Sequence, residues 1–108
     1  MPFDATPTNT EADVLRRAKA RLMDPAKWCK EPYSSGKYPH ALCANIAIFE
    51  AAPDNFDLQE RASDLLWKAT GLPGSNNVPK WNDAPETTHA DVIAAFDRAI
   101  ALAEAGEP

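Results

Sequence analysis

Two cysteines, Cys29 and Cys43, are all the chain contains, too few for a disulfide scaffold; a single bridge is the most they could form. No secretory leader is expected either, because MPFDATPTNTEAD is acidic and polar where a basic and then apolar stretch would stand. Long apolar runs are absent. Unbroken runs such as Ile46-Ala47-Ile48-Phe49 are far short of the ~20 residues that cross a bilayer. No period-two alternation of any length occurs, and no repeat at a fixed period. Gly71-Leu72-Pro73-Gly74 lacks the glycine spacing and the lysine of a phosphate-cradling loop. These absences argue against a membrane span, a β architecture and a nucleotide cofactor, and they predict a soluble protein of a reducing cytoplasm.

What remains is 108 residues, 44% hydrophobic and 25% charged, the composition of one globular domain over residues 1–108. Ten prolines punctuate it. The net charge is −5, unevenly placed. Arg16 to Lys37 holds seven basic residues against Asp24 and Glu31, whereas Tyr38 onward holds four basic against eleven acidic. An acidic balance disfavours direct nucleic-acid binding. The asymmetry could orient an encounter with a protein partner.

Four helices are expected, making the fold all-α with two long Pro- and Gly-containing loops. Thr10 with Asp13 has the spacing of a capping box, and Val14, Leu15, Ala18 and Leu22 share one face. Pro25 ends that helix near Met23. The stretch AKWCKEPYSSGKY reads as a loop held down by Trp28 and Tyr33. Pro39 then suits the first turn of a second helix carrying Leu42, Cys43, Ile46, Ala47 and Phe49, closed by Pro53. Asp57 with Glu60 caps a third, with Leu58, Ala62, Leu65, Leu66 and Ala69 inside and Gly71 as the left-handed stop. A loop follows from Gly71 to Glu86. The last helix starts at Thr87 or Thr88, Thr88 with Asp91 having capping-box spacing, and its stripe is Val92, Ile93, Phe96, Ala99, Ile100 and Ala103. Residues 1–9 and 105–108 should fray.

Three stretches, VLRRAKARLMDPAKWCK, HALCANIAIFEAA and KWNDAPETTHADVIAAFDRAIALAE, together resemble domain-of-unknown-function family six-one-nine-seven, small proteins of bacteria and their phages. The carrying elements are the leading helix up to Trp28, Cys43 with Ala44, and Trp81-Asn82-Asp83 followed by Thr88, Val92, Asp97 and Ala99 to Leu102. The chain departs from the family pattern at Asn45 and Ile46, where relatives carry glycine and small residues. The resemblance implies the all-α fold and brings no reaction with it.

Candidate chemistry centres on KWNDAPETTHADV. Trp81 can anchor a loop over a helix pair, Asn82 and Asp83 can bond nearby backbone N–H groups, and Thr88 can cap a helix. The competing reading has Asn82 and Asp83 lining a cleft that grips a ligand, with Trp28 and His89 beside them. Zinc would need Cys29, His40, Cys43 and His89, but structural sites usually show two close ligand pairs. A nucleophilic set of Cys43, His89 and Asp83 can be drawn, yet Cys43 is expected on an apolar helix face, buried and inert. Neither catalytic nor metal-binding residues are therefore assigned. Arg17 and Arg21, with Lys27, Lys30, Trp28 and Tyr33 near them, could dock an acidic protein surface or stack on single-stranded nucleic acid.

By subtraction, the sequence points to a non-enzymatic helical module acting through a protein partner; an inhibitor of a host defence complex, carried by a phage or mobile element, is one concrete form. Glu60 and Asp64 would belong to its acidic contact surface. The alternative is a small-molecule or enzymatic domain with its site around Trp81, Asn82 and Asp83.

Overall fold

The structure, a computed structural model, describes residues 10–30 and 42–106. Among the described residues five α-helices follow one another: α1 Glu11–Leu22, α2 Ala44–Ala51, α3 Phe56–Thr70, α4 Val78–Asp83 and α5 His89–Glu104, with a 3-10 turn at Pro25–Lys27. Among the described residues there is no strand, only an isolated parallel bridge between Trp28 and Leu42. None of these helices is long and apolar enough to cross a membrane.

The helix starts are set by side chains that accept the first unpaired backbone N–H groups. Thr10 and Asp13 form a complete capping box on α1, and Thr88 and Asp91 do the same on α5. Gly71, at φ 76°, closes α3 in the left-handed region, where a Cβ would be strained. Three expectations need correction. The second helix begins at Ala44, so Cys43 is its N-cap, its sulfur accepting from the Ile46 N–H at 3.4 Å, rather than a mid-helix residue. The cap of α3 is Asn55, whose side chain accepts from Leu58 N–H, and not Asp57. The expected loop from Gly71 to Glu86 contains a helix of its own, α4, making five helices rather than four. Asn77 caps it and Pro79 occupies its first turn, where the missing N–H costs nothing. Tyr33, Pro39 and His40, and the fraying expected at 1–9 and at 107–108, lie outside the described residues.

One cluster of buried side chains holds the helices together. Val14, Leu15, Ala18 and Leu22 of α1 meet Ala47 and Ile48 of α2, Leu58, Ala62 and Leu66 of α3, and Val92, Phe96 and Ala99 of α5. Val78 of α4 is fully buried in the same cluster. The alanines let backbones approach closely, and burying Leu, Ile and Phe here contributes about 1.5–3 kcal/mol per side chain.

Charge is segregated along the chain but not in space. Arg16 pairs with Glu104 of α5, Lys19 with Asp97 of α5 at 2.6 Å, and Arg21 with Glu50 of α2 at 2.8 Å. The basic face of α1 thus lies against acidic residues of its neighbours. Other polar side chains close helix C-termini, where carbonyls lack partners and the helix dipole favours positive charge. Arg17 donates Nε and Nη2 to the Ala51 carbonyl at the end of α2, at 3.2 and 2.9 Å. Arg98 donates to Ala69 O of α3 at 3.0 Å, and Lys30 to Ala84 O after α4 at 2.6 Å. His89 Nε2 sits 2.6 Å from Leu22 O at the end of α1; the carbonyl can only accept, so the ring donates. Four helix ends are in this way tied to a different part of the chain.

Candidate functional site

The Trp81-Asn82-Asp83 segment is the last half of α4, and its three side chains go three ways. Asn82 is fully buried. Its Oδ1 accepts from the Trp28 indole N–H at 2.6 Å and from the Ala44 backbone N–H at 3.0 Å, while its Nδ2 donates to Cys29 O and to Asp83 Oδ1, both at 3.0 Å. All four bonding positions of the amide are filled.

The position of this amide has a specific geometry. In the bridge between Trp28 and Leu42, Leu42 N–H donates to Lys27 O at 2.8 Å and Cys29 N–H donates to Leu42 O at 3.1 Å. A parallel ladder would continue with Ala44 N–H donating to Cys29 O. Those are the two groups that Asn82 takes, one with each end of its amide. A side chain from α4 therefore stands in for the next rung and joins three segments at the start of α2. Trp28 completes the knot: its ring packs 6.0 Å from that of His89, and the Lys30 ammonium lies 5.9 Å from the indole centroid.

Asp83 is engaged through Asn82, whose Nδ2 donates to its Oδ1. Cys43 is buried, and desolvation pushes its thiol above the ordinary value of 9.0 despite backbone N–H bonds that pull the other way. Among the described residues no group of three or more His, Cys, Asp or Glu side chains is arranged to hold a metal ion.

Trp81 lines a different hollow. This is a groove of about 630 Å³ between α3, α4 and α5, with Trp67 and Trp81 as aromatic walls and Leu72 and Pro73 along its rim. Lys80 and Arg98 supply positive charge, Glu86 and Asp91 negative charge. Both indoles are half-buried, and Leu72 keeps 46% of its surface exposed. The rim is fixed. Trp67 Nε1 donates to Gly74 O at 3.0 Å, Thr70 Oγ1 accepts from Leu72 N–H at 3.2 Å, and Asn76 Nδ2 donates to Ser63 Oγ and Asp64 Oδ1 at 3.0 and 2.7 Å.

Glu60 and Asp64 are exposed on α3 and line a separate, shallower hollow of about 400 Å³ with Asn45, Phe49 and Asn76. Arg17 and Arg21 lie elsewhere, on α1, engaged with Ala51 O and Glu50. The structure therefore does not gather Trp81, Asn82, Asp83, Glu60, Asp64, Arg17 and Arg21 into one site. Trp67, Leu72, Lys80 and Arg98 were not singled out from sequence. Trp67 carried a usable signal: it is a large apolar residue off the stripe formed by Leu58, Ala62, Leu65, Leu66 and Ala69, and it is only partly buried against the core.

Comparison with curated proteins and with solved structures gives no match. The model of one family matches residues 6–102, nearly the whole chain, and the protein belongs to that family of unknown function, DUF6197.

Proposed function

We propose that this chain is a non-enzymatic protein-binding module and that its contact surface is the groove between α3, α4 and α5. The occupant is an extended segment of a partner protein that seats an apolar side chain between Trp67 and Trp81. The observation that carries this reading is the pair of half-buried indoles beside exposed Leu72 on a hydrogen-bonded rim. Tryptophan dominates interface hot spots, and a rim fixed in advance reduces the ordering cost of association. Aromatic-lined grooves of this kind suit extended peptides, whose backbone can bond polar groups along the edges. Ser75, Lys80 and Glu86 supply such groups here. By contrast, the polar groups of Asn82 and Asp83 already bond protein atoms.

The volume favours a second reading. About 630 Å³ lies within the ~300–1,000 Å³ of small-molecule sites, so a compact ligand stacked on the indoles would use the same walls. Two measurements on the full chain separate them. Immobilised wild-type protein and a Trp67→Ala/Trp81→Ala variant of intact helicity are compared for proteins recovered from the source cell. Native mass spectrometry after incubation with a protein-free cell extract reports small ligands. A protein captured by the wild type and lost with the variant supports the module. A small-molecule adduct lost with the variant, without any protein capture, replaces it by the second reading. Capture that ignores the substitutions overturns the groove as the contact surface.

A further inference from the structure

Cys29 and Cys43 are the chain's two cysteines; both are buried and neither is bridged. They follow directly on Trp28 and Leu42, the two residues of the parallel bridge. In a parallel pair, successive residues alternate faces together, so this register turns the two cysteine side chains to the same side. A regular rung separates paired strands by about 4.8 Å, inside the ~4.4–6.8 Å between Cα atoms that a disulfide spans. The inserted Asn82 amide opens this rung, yet it also ties Cys29 O to Ala44 N–H and so holds the two positions side by side. The nearby Cys29 is among the groups that raise the Cys43 thiol, as adjacency requires.

We propose that Cys29 and Cys43 are a redox clasp, closing to an intramolecular disulfide when the protein meets a low-molecular-weight disulfide of the oxidised glutathione class. Cys29, at 7% exposure against 1% for Cys43, is the first to react. Its thiolate attacks one sulfur of the external disulfide, releasing one thiolate and leaving a mixed disulfide on Cys29. The Cys43 sulfur, having lost its proton to solvent, then attacks the Cys29 sulfur and expels the second thiolate. Two protein thiols are oxidised by two electrons, and one external disulfide is reduced to two thiols. The bond covalently fixes the N-terminus of α2 to the extended segment beside Trp28, the junction that Asn82 fastens by hydrogen bonds alone. Burial makes the reaction wait on local opening, so the clasp responds to sustained oxidation rather than to a brief pulse.

The test uses the full chain equilibrated in oxidised and reduced glutathione, quenched by alkylation, and read by intact mass and non-reducing peptide mapping. The expected product has lost two hydrogens and contains a peptide linking Cys29 to Cys43. Its effective thiol concentration is at least about tenfold higher in the native chain than in denaturant, since the native register holds the thiols together. Cys29→Ser and Cys43→Ser each stop at a glutathione adduct or the unmodified thiol, and the oxidised wild type melts above the reduced one. Equal effective concentrations in native and denatured chain overturn the proposal. So does a disulfide between copies, or a wild-type glutathione adduct that never resolves.

Discussion

The indole N–H of Trp28 donates to the side-chain oxygen of Asn82 at 2.6 Å, joining residues 54 positions apart. The same oxygen takes the backbone N–H of Ala44, so one amide fixes a tryptophan, the start of α2 and the end of α4 together. Removing it strands the buried Ala44 N–H and Cys29 O and the part-buried Trp28 indole N–H. Each buried donor or acceptor left unpaired costs about 1–3 kcal/mol. Asn82→Ala should therefore destabilise the fold by about 3 kcal/mol or more in urea titrations. Trp28→Phe keeps most of the bulk and loses only the donor, and should cost about 1–2 kcal/mol. Asn82→Asp tests the donor half: it keeps the oxygen facing Trp28 and Ala44 but turns a second oxygen toward Cys29 O and Asp83, and should destabilise comparably to Asn82→Ala near neutral pH. A loss below about 1 kcal/mol for Asn82→Ala would show that the amide is not the fastening described.

Two arginines on α1 provide a contrast between capping and surface pairing. Arg17 gives two hydrogen bonds to the last carbonyl of α2, whereas Arg21 forms a half-exposed ion pair with Glu50. Bonds from a charged donor to a neutral carbonyl at a helix C-terminus are worth about 1–2 kcal/mol together. Exposed ion pairs contribute at most about 0.5–1 kcal/mol and are screened by salt. Arg17→Met should thus lower stability more than Arg21→Met, and raising salt should shrink the Arg21 effect by the larger fraction. Equal and equally salt-sensitive losses, measured by thermal melts across salt concentrations, would contradict this division.

These particulars show which parts of the fold were legible in the sequence. The ends of α1 and α5 could be read because their capping boxes are local: Thr10 with Asp13 and Thr88 with Asp91 lie three residues apart. Gly71 was readable for the same reason. The start of α2 was not. The backbone N–H groups leading into it, those of Leu42 and Ala44, donate to Lys27 O and Asn82 Oδ1, acceptors remote in sequence that no local pattern reveals. Helix α4 escaped notice because six residues with a proline show no period; packing of Val78 and the Asn82 bonds stabilise it, not propensity. Asn82 could be recognised as a bonding residue from its type and its setting, but its partners could not. The groove was hidden because it is made by residues of α3, α4, α5 and the intervening loop, and only the tertiary arrangement brings Trp67 and Trp81 to one hollow.

Two groups should shape the pH dependence of stability, at opposite ends. The Arg61 side chain bonds Glu11 and, with a backbone N–H, holds its carboxyl below the ordinary value of 4.5. The unfolded chain then takes up this proton at a higher pH than the folded one. Stability from Glu11 is complete above 4.5 and is lost as pH falls through the lowered folded value. Cys43 behaves conversely. Burial keeps it a thiol where the unfolded chain is already thiolate, so its contribution is complete below 9.0 and is lost as pH rises toward the raised folded value. Glu11→Gln should flatten the acid limb and Cys43→Ser the alkaline limb of denaturant midpoint against pH. Ser at position 43 retains an N-cap oxygen, so a change confined to the alkaline slope can be told from loss of the cap. Parallel curves for either variant and the wild type would remove that group from the account.

The last prediction concerns how a partner is reached as distinct from how it is held. Glu60 and Asp64 are exposed on α3, outside the Trp67–Trp81 groove but on the helix that forms one of its walls. If the partner's contact face is basic, charges beside the groove speed encounter, whereas indole burial within it sets residence time. Glu60→Lys/Asp64→Lys should therefore lower the association rate several-fold at low salt, with the difference from wild type vanishing beyond about 0.5 M salt as screening shortens the field. Trp67→Ala or Trp81→Ala should instead raise the dissociation rate, by about tenfold or more for a hot-spot loss of ~2 kcal/mol, and should do so at every salt concentration. Surface plasmon resonance against the captured partner reads both rates in one experiment. A charge reversal that changed only dissociation would place Glu60 and Asp64 inside the contact, and a tryptophan truncation that changed neither rate would move the interface off the groove.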